Sequence, residues 1–275
     1  MMTDFLLVNK IAQLIHDDRR QRLLYKKGIS LKGNFYSQMS LADITSASFL
    51  AEHQTVTPVN IRFSKVFGRD GAGDTTRDII GIFAEFDTPT GKFDLLFHNV
   101  ELDEHIRTPE AVMALIEAFS EREKDRVRED AVLWKLAANN PDFLDFLLRY
   151  FSCRCTVKSF RGVEGKGFNG YRFINEAGET RGVHFELIPE NRHGEITRRE
   201  AEFLAGYDCD AAMRDMKEAA ERNLLPKFNL YAVLDEEYRK ILLGNIVLDE
   251  LLERDDVLWD FSPIRVPAGI ALADH

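Results

Sequence analysis

Cysteine is scarce in this 275-residue chain: three residues, an odd number, with Cys153 and Cys155 out of register for a Cys-x-x-Cys pair. That excludes a disulfide scaffold, reads as ordinary thiols, and points to a reducing compartment, the cytoplasm. No run approaches the ~18 apolar residues of a membrane span. The first eighteen residues, MMTDFLLVNKIAQLIHDD, carry no basic flank and no small-residue cleavage site, so no signal peptide is expected. Positive charge is in deficit, 36 Lys and Arg against 46 Asp and Glu, and a net charge of −10 argues against a nucleic-acid or anionic-membrane binder. There is no Walker loop, dinucleotide fingerprint or Ser–His–Asp signature. His184 and His193 have no metal-ligand spacing to a carboxylate and read as a strand residue and a loop residue. Low-complexity segments and internal repeats are also missing.

What the chain does have is apolar content, 45%, enough to bury one large core or two modest ones. Its organising stretch is residues 59–86, VNIRFSKVFGRDGAGDTTRDIIGIFAEF, which reads as strand, glycine-rich turn, strand. Asn60, Arg62, Ser64 and Val66 alternate with Ile61, Phe63 and Lys65, so one face carries a polar set at period two. The turn from Gly68 to Asp74 offers glycines free to take positive φ. An inward-pointing Arg and Ser imply a cavity holding something anionic, because a buried guanidinium needs a partner.

This stretch resembles the RFSTV–G–GSADT–RD–RGFA–KF block of the catalase family. Arg62, Phe63, Ser64, Val66, Gly68, Gly73, Asp74, Thr75, Arg77, Asp78, Gly81 and Phe86 stand in matching places. The likeness continues at unchanged spacing. QRLLYKKGISLKGNFY is similar to R-V-V-H-A-R-G followed by AKGxF, with Tyr25 in the place of the catalytic histidine. FDLLFHN is similar to WDLVGNN, with His98 where the first, catalytic Asn stands. GYRFINEAGETRGVHFELIPE and the stretch FSPIRVPAGI resemble two further family segments. The resemblance implies a haem pocket and peroxide chemistry. It also places the proximal Arg-x-x-x-Tyr helix just beyond His275, so a same-chain phenolate ligand to haem is not expected.

Taken in order, residues 4–20 have helical spacing, and 30–37, 57–66, 80–87 and 92–97 read as strands. PEAVMALIEAF is helical with Pro at its first turn. The charge-dense block 120–131 reads as a solvated face or linker. Two short helices follow, broken at Asn140-Pro141. CTVKSFRG, FNGYRFIN and TRGVHFELI read as three more strands, Thr197 caps a helix over RREAEFLAG, 208–223 is helical, and KFNLYAVL is the eighth strand. The fold class is α+β: a catalase-like eight-stranded antiparallel β-barrel, one domain over 1–275 with helical insertions at about 109–151 and 197–223.

Tyr25 and His98 form a candidate acid–base pair, with His98 titrating near neutrality; the other reading is decay at two catalytic positions. Arg22 and Arg62 match positions that neutralise haem propionates, or else pair with Asp74 or Asp78. Ser64 and Val66 complete the cofactor-binding set, and Asp78 flanks the channel or caps the turn. The function implied is a divergent catalase-related protein of peroxide or hydroperoxide chemistry that is not a working catalase. The alternative is a haem-free barrel binding or converting a small anionic or apolar molecule. The expected partner is that small molecule or hydroperoxide, with no nucleic acid and no membrane. The chain is expected to assemble as a homo-oligomer, a dimer, and a partner chain could complete the site.

Overall fold

The computed structural model describes residues 24–68, 71–101, 108–119, 130–192, 195–236, 238–252 and 261–273. The expected helix over 4–20 and most of the charge-dense block lie outside these residues. Ten strands are present: β1 Gly28–Ser37, β2 Val56–Lys65, β3 Ile80–Thr88, β4 Gly91–His98, β5 Gly165–Gly167, β6 Tyr171–Ile174, β7 Thr180–Pro189, β8 Lys227–Leu234, β9 Arg239–Leu251 and β10 Ile270–Leu272. Every pairing is antiparallel, and β1-β2-β3-β4-β5-β7-β8-β9 closes back on β1. That is an eight-stranded barrel. β6 lies along the first half of β7, and β10 pairs with β6.

Two strand expectations are corrected. CTVKSFRG is not a strand but two 3₁₀ turns, Cys153–Cys155 and Phe160–Gly162. The Ser152 and Ser159 hydroxyls accept from the N–H groups of Arg154 and Arg161, giving the backbone a local alternative to a ladder. KFNLYAVL is barrel strand β8 as expected, whereas FNGYRFIN forms β6 outside the ring, which is completed by β5 and β9. A bulge in β9 sets Gly244 opposite Leu230 and Leu242 opposite Tyr231, so buried positions run Leu243, Ile246, Leu248 and the period of two is broken.

The barrel lumen is solid. Phe35, Phe63, Phe86, Phe93, Phe185 and Phe228 are fully buried within it, with ring centroids 5.8 Å apart for Phe35–Phe86 and 5.7 Å for Phe93–Phe185. Phe63 and Ile61 point inward, so Arg62 and Ser64 point out of the barrel, the reverse of the expected orientation. Their strand is sandwiched: apolar residues fill one side and a second layer covers the other. In that layer α1 Pro109–Phe119, α2 Asp130–Asn139 and α3 Asp142–Phe151 pack with Tyr25, Val66, Ile79 and Phe83. On α3 the buried residues are Phe143, Phe146, Leu147 and Tyr150, the i, i+3, i+4, i+7 stripe of an amphipathic helix. α4 Arg198–Tyr207 starts with a full capping box between Thr197 and Glu200, as its sequence suggested, and α5 Ala211–Glu221 follows.

Candidate functional site

The site is built on the outer face of β2, β3 and β4. Antiparallel register sets Ser64 opposite Gly81 and Gly81 opposite His98, while Arg62, Phe83 and Leu96 form the next row. Tyr25 comes to this face from the segment entering β1. Its N–H donates to the Val66 carbonyl at 2.8 Å, and its φ of +55° is a left-handed conformation that costs a β-substituted residue about 1–3 kcal/mol. The surrounding packing holds it there. The tyrosine ring lies over Gly81 so closely that a Cβ at that position would sit 2.5 Å from the ring. It meets Phe83 edge-on at 4.8 Å, and Phe83 meets Phe261 at 5.0 Å.

The hydroxyl of Tyr25 is 2.9 Å from His98 Nε2. The two candidate acid–base residues, 73 positions apart, are therefore hydrogen-bonded partners. Both are buried, 7% and 4% exposed. Burial, reinforced by the negative charge of Asp78, pushes the Tyr25 phenol well above its ordinary range. Burial lowers His98 to about 4, which corrects the expectation that it titrates near neutrality. Both side chains are uncharged at pH 7.

Arg62 is fully buried, and its Nη2 donates to the Lys26 carbonyl at 3.4 Å. Gly28 lets the backbone cross it: a Cβ there would stand 2.8 Å from the guanidinium. Ser64 Oγ donates to the Lys27 carbonyl at 2.8 Å, and Val66 is buried beside Tyr25. Arg22 lies outside the described residues. The carboxylates named as alternative arginine partners are engaged by lysines. Asp74 pairs with Lys27 at 2.9 Å, and Asp78 stands 3.9 Å from Lys65 while accepting from the N–H groups of Ile79 and Phe67. Asp78 thus caps the turn. Asn99, the next residue after His98, is a bracket, accepting from Ile80 N–H and donating to the Arg154 carbonyl, both at 2.8 Å.

The family model for catalase matches residues 1–249. This chain belongs to the catalase family. It is 31% identical over 253 residues to a catalase of Alkalihalophilus pseudofirmus, covering 90% of this chain and 37% of that protein. It is 31% identical over 242 residues to catalase-2 of Bacillus subtilis, covering 86% and 35%. The chain therefore spans about a third of the length of these relatives. Among solved structures, a bacterial catalase superposes with a TM-score of 0.84 at 21% identity, over 99% of this chain and 57% of that one, and catalase A from Saccharomyces cerevisiae with 0.85 over 99% and 61%. The barrel is the catalase barrel.

Haem is the group this catalase lineage typically carries, and the described residues do not fit it in this arrangement. Phe83 stands where the family's RGFA block has its alanine. Its ring, with those of Tyr25 and Phe261, fills the outer face of β3 beside Gly81 with packed aromatic side chains. The hydroxyl that replaces the family's histidine is also turned to His98 rather than outward. Phe83 was absent from the sequence-derived candidates, although that alanine-to-phenylalanine exchange is visible in the motif. Phe168, edge-on to His98 at 5.6 Å, carried no such signal. Among the described residues no group of three His, Cys, Asp or Glu is placed to hold a metal ion, and no helix is long and apolar enough to cross a membrane. Cys155 is pushed up to about 12 by burial, and Cys153 is raised by its hydrogen bond to Glu195, so neither thiol is activated.

Proposed function

We propose that this chain is a divergent catalase-related protein from a lineage of peroxide or organic hydroperoxide chemistry, and that by itself it does not disproportionate hydrogen peroxide. The supporting observation is the buried Tyr25–His98 hydrogen bond. Disproportionation needs a group that takes a proton from one peroxide oxygen and returns it to the other. An unperturbed phenol is ionised in about one molecule per thousand at neutral pH, and burial makes Tyr25 less ionised still. Such a group donates a proton or a hydrogen bond but does not shuttle. Its hydroxyl is committed to His98, so Tyr25 is not available to a peroxide as that shuttle.

A second reading is favoured by the Phe83–Tyr25–Phe261 wall beside the buried Arg62: a haem-free site for a small apolar or anionic molecule. Either reading goes with a cytoplasmic homo-oligomer, a dimer. The deciding experiment is to produce the chain with haem supplied, record its visible spectrum, and follow oxygen release from hydrogen peroxide. The expected result is no haem band travelling with the folded protein and no oxygen above background. A haem band together with vigorous oxygen release from this polypeptide alone overturns the proposal.

A further inference from the structure

We infer that Tyr25 and His98 are a proton-coupled redox pair, in which the Tyr25 phenol gives one electron to an oxygen-centred radical derived from a hydroperoxide and its proton to His98 Nε2. This rests on the proposed peroxide lineage only for the choice of oxidant; the geometry stands without it. Removing an electron alone from a phenol leaves a strongly acidic radical cation. A base already at hydrogen-bond distance lets electron and proton leave together, and the Oη–Nε2 separation of 2.9 Å provides that. The step balances: phenol, neutral imidazole, a peroxyl radical and one solvent proton become phenoxyl radical, imidazolium and hydroperoxide. The O–H bond of Tyr25 breaks, an N–H bond forms on His98, and the peroxyl radical is reduced.

Three features of the site serve this step. Burial holds His98 neutral, so Nε2 can take the hydroxyl proton in the tautomer that carries its own proton on Nδ1. The carboxylate of Asp78 acts on Tyr25 and disfavours its phenolate, so proton loss is tied to electron loss rather than preceding it. The phenol ring is enclosed, lying against Gly81 and edge-on to Phe83, where a second radical cannot reach it for coupling. By contrast, Tyr207 and Tyr238 are 86% and 87% exposed and have no such protection. The pair is a sink for oxidising equivalents.

The test uses the full chain without haem and a photogenerated one-electron oxidant, a ruthenium(III) polypyridyl, with the phenoxyl radical followed by transient absorption and electron paramagnetic resonance. A long-lived phenoxyl that vanishes in Tyr25→Phe, leaving only short-lived signals from exposed tyrosines, supports the inference. His98→Gln keeps a hydrogen-bond acceptor but loses the base. It should slow radical formation about tenfold, because the proton acceptor is gone while the hydrogen bond is kept, and remove the solvent deuterium isotope effect. An unchanged long-lived radical in Tyr25→Phe, or an unchanged rate and isotope effect in His98→Gln, overturns it. Because the oxidant is external, this result is independent of the haem and oxygen-release experiment.

Discussion

His98 is where burial has its sharpest chemical consequence. Its folded pKa is near 4 and an unfolded histidine titrates near 6.5, so the folded state binds that proton less readily. The stability carried by neutral, buried His98 is complete above about pH 6.5 and is lost as pH falls toward 4, because protonation favours the unfolded chain. The loss across that window is on the order of 3 kcal/mol. Chemical denaturation at pH 7.5 and at pH 4.5 should therefore show a larger drop for the native protein than for His98→Gln; equal drops would refute the assignment. The identities of Tyr25 and His98 were legible because they occupy two catalytic places in a recognisable motif. That they touch was not legible, since contact depends on the β3–β4 register and on a left-handed backbone at Tyr25. The pKa of His98 could not be read either, because it is set by burial in the folded chain rather than by neighbours in sequence.

At the scale of elements, the glycine-rich turn works differently from a simple run of flexible residues. Of its three glycines only Gly71 takes positive φ; Gly73 is small because a Cβ would meet Ala205 at 2.4 Å, and Gly68 because one would meet Lys65 at 2.6 Å. Gly81 in β3 has a comparable constraint, and Gly81→Ala should push the Tyr25 ring off the strand at a cost of about 1–3 kcal/mol. Tyr25 fluorescence or hydrogen exchange at Val66 would report the displacement; an unmoved ring would count against the packing described. Lys27 fastens the same turn to α5. Its ammonium reaches Asp74 at 2.9 Å and Asp210 at 2.7 Å, with Asp74 fully buried. Lys27→Ala leaves that carboxylate uncompensated, a loss of about 3–5 kcal/mol, readable in a urea midpoint. β1 to β4 were legible to within two residues because each is a short run rich in β-branched, aromatic and other apolar residues bounded by turn residues. β9 was missed because its bulge breaks the alternation, and residues 155–162 misled because their β-branched and aromatic content belongs to 3₁₀ turns capped by serines.

Across the whole molecule, closure of the barrel and covering of its outer wall are two separate problems. The lumen solves the first with interlocked phenylalanines, so Arg62, Ser64 and His98 lie on the outer face rather than in the lumen. The second is solved partly by the segment Phe261–Ala273, which runs from Phe83 to its pairing through β10 with β6. Arg265 clamps it, 2.6 Å from Asp94 and 3.6 Å from Glu85. Asp94, fully buried on β4, accepts from Arg265 Nε at 2.9 Å and Nη2 at 2.6 Å and from Ser262 N–H at 2.7 Å. Burial nonetheless leaves the Asp94 carboxyl above its ordinary range, so the clamp meets a real desolvation cost. Arg265→Ala should therefore cost about 3 kcal/mol by stranding the carboxylate, and Asp94→Asn combined with Arg265→Ala should recover part of that loss. A double-mutant cycle measures it. If the two losses simply add, the segment is held by Phe261 and β10 rather than by charge. A positive coupling with faster hydrogen exchange confined to the segment and the strand ends beneath Phe261 would mark Asp94–Arg265 as the fastening that keeps the Tyr25–His98 face closed.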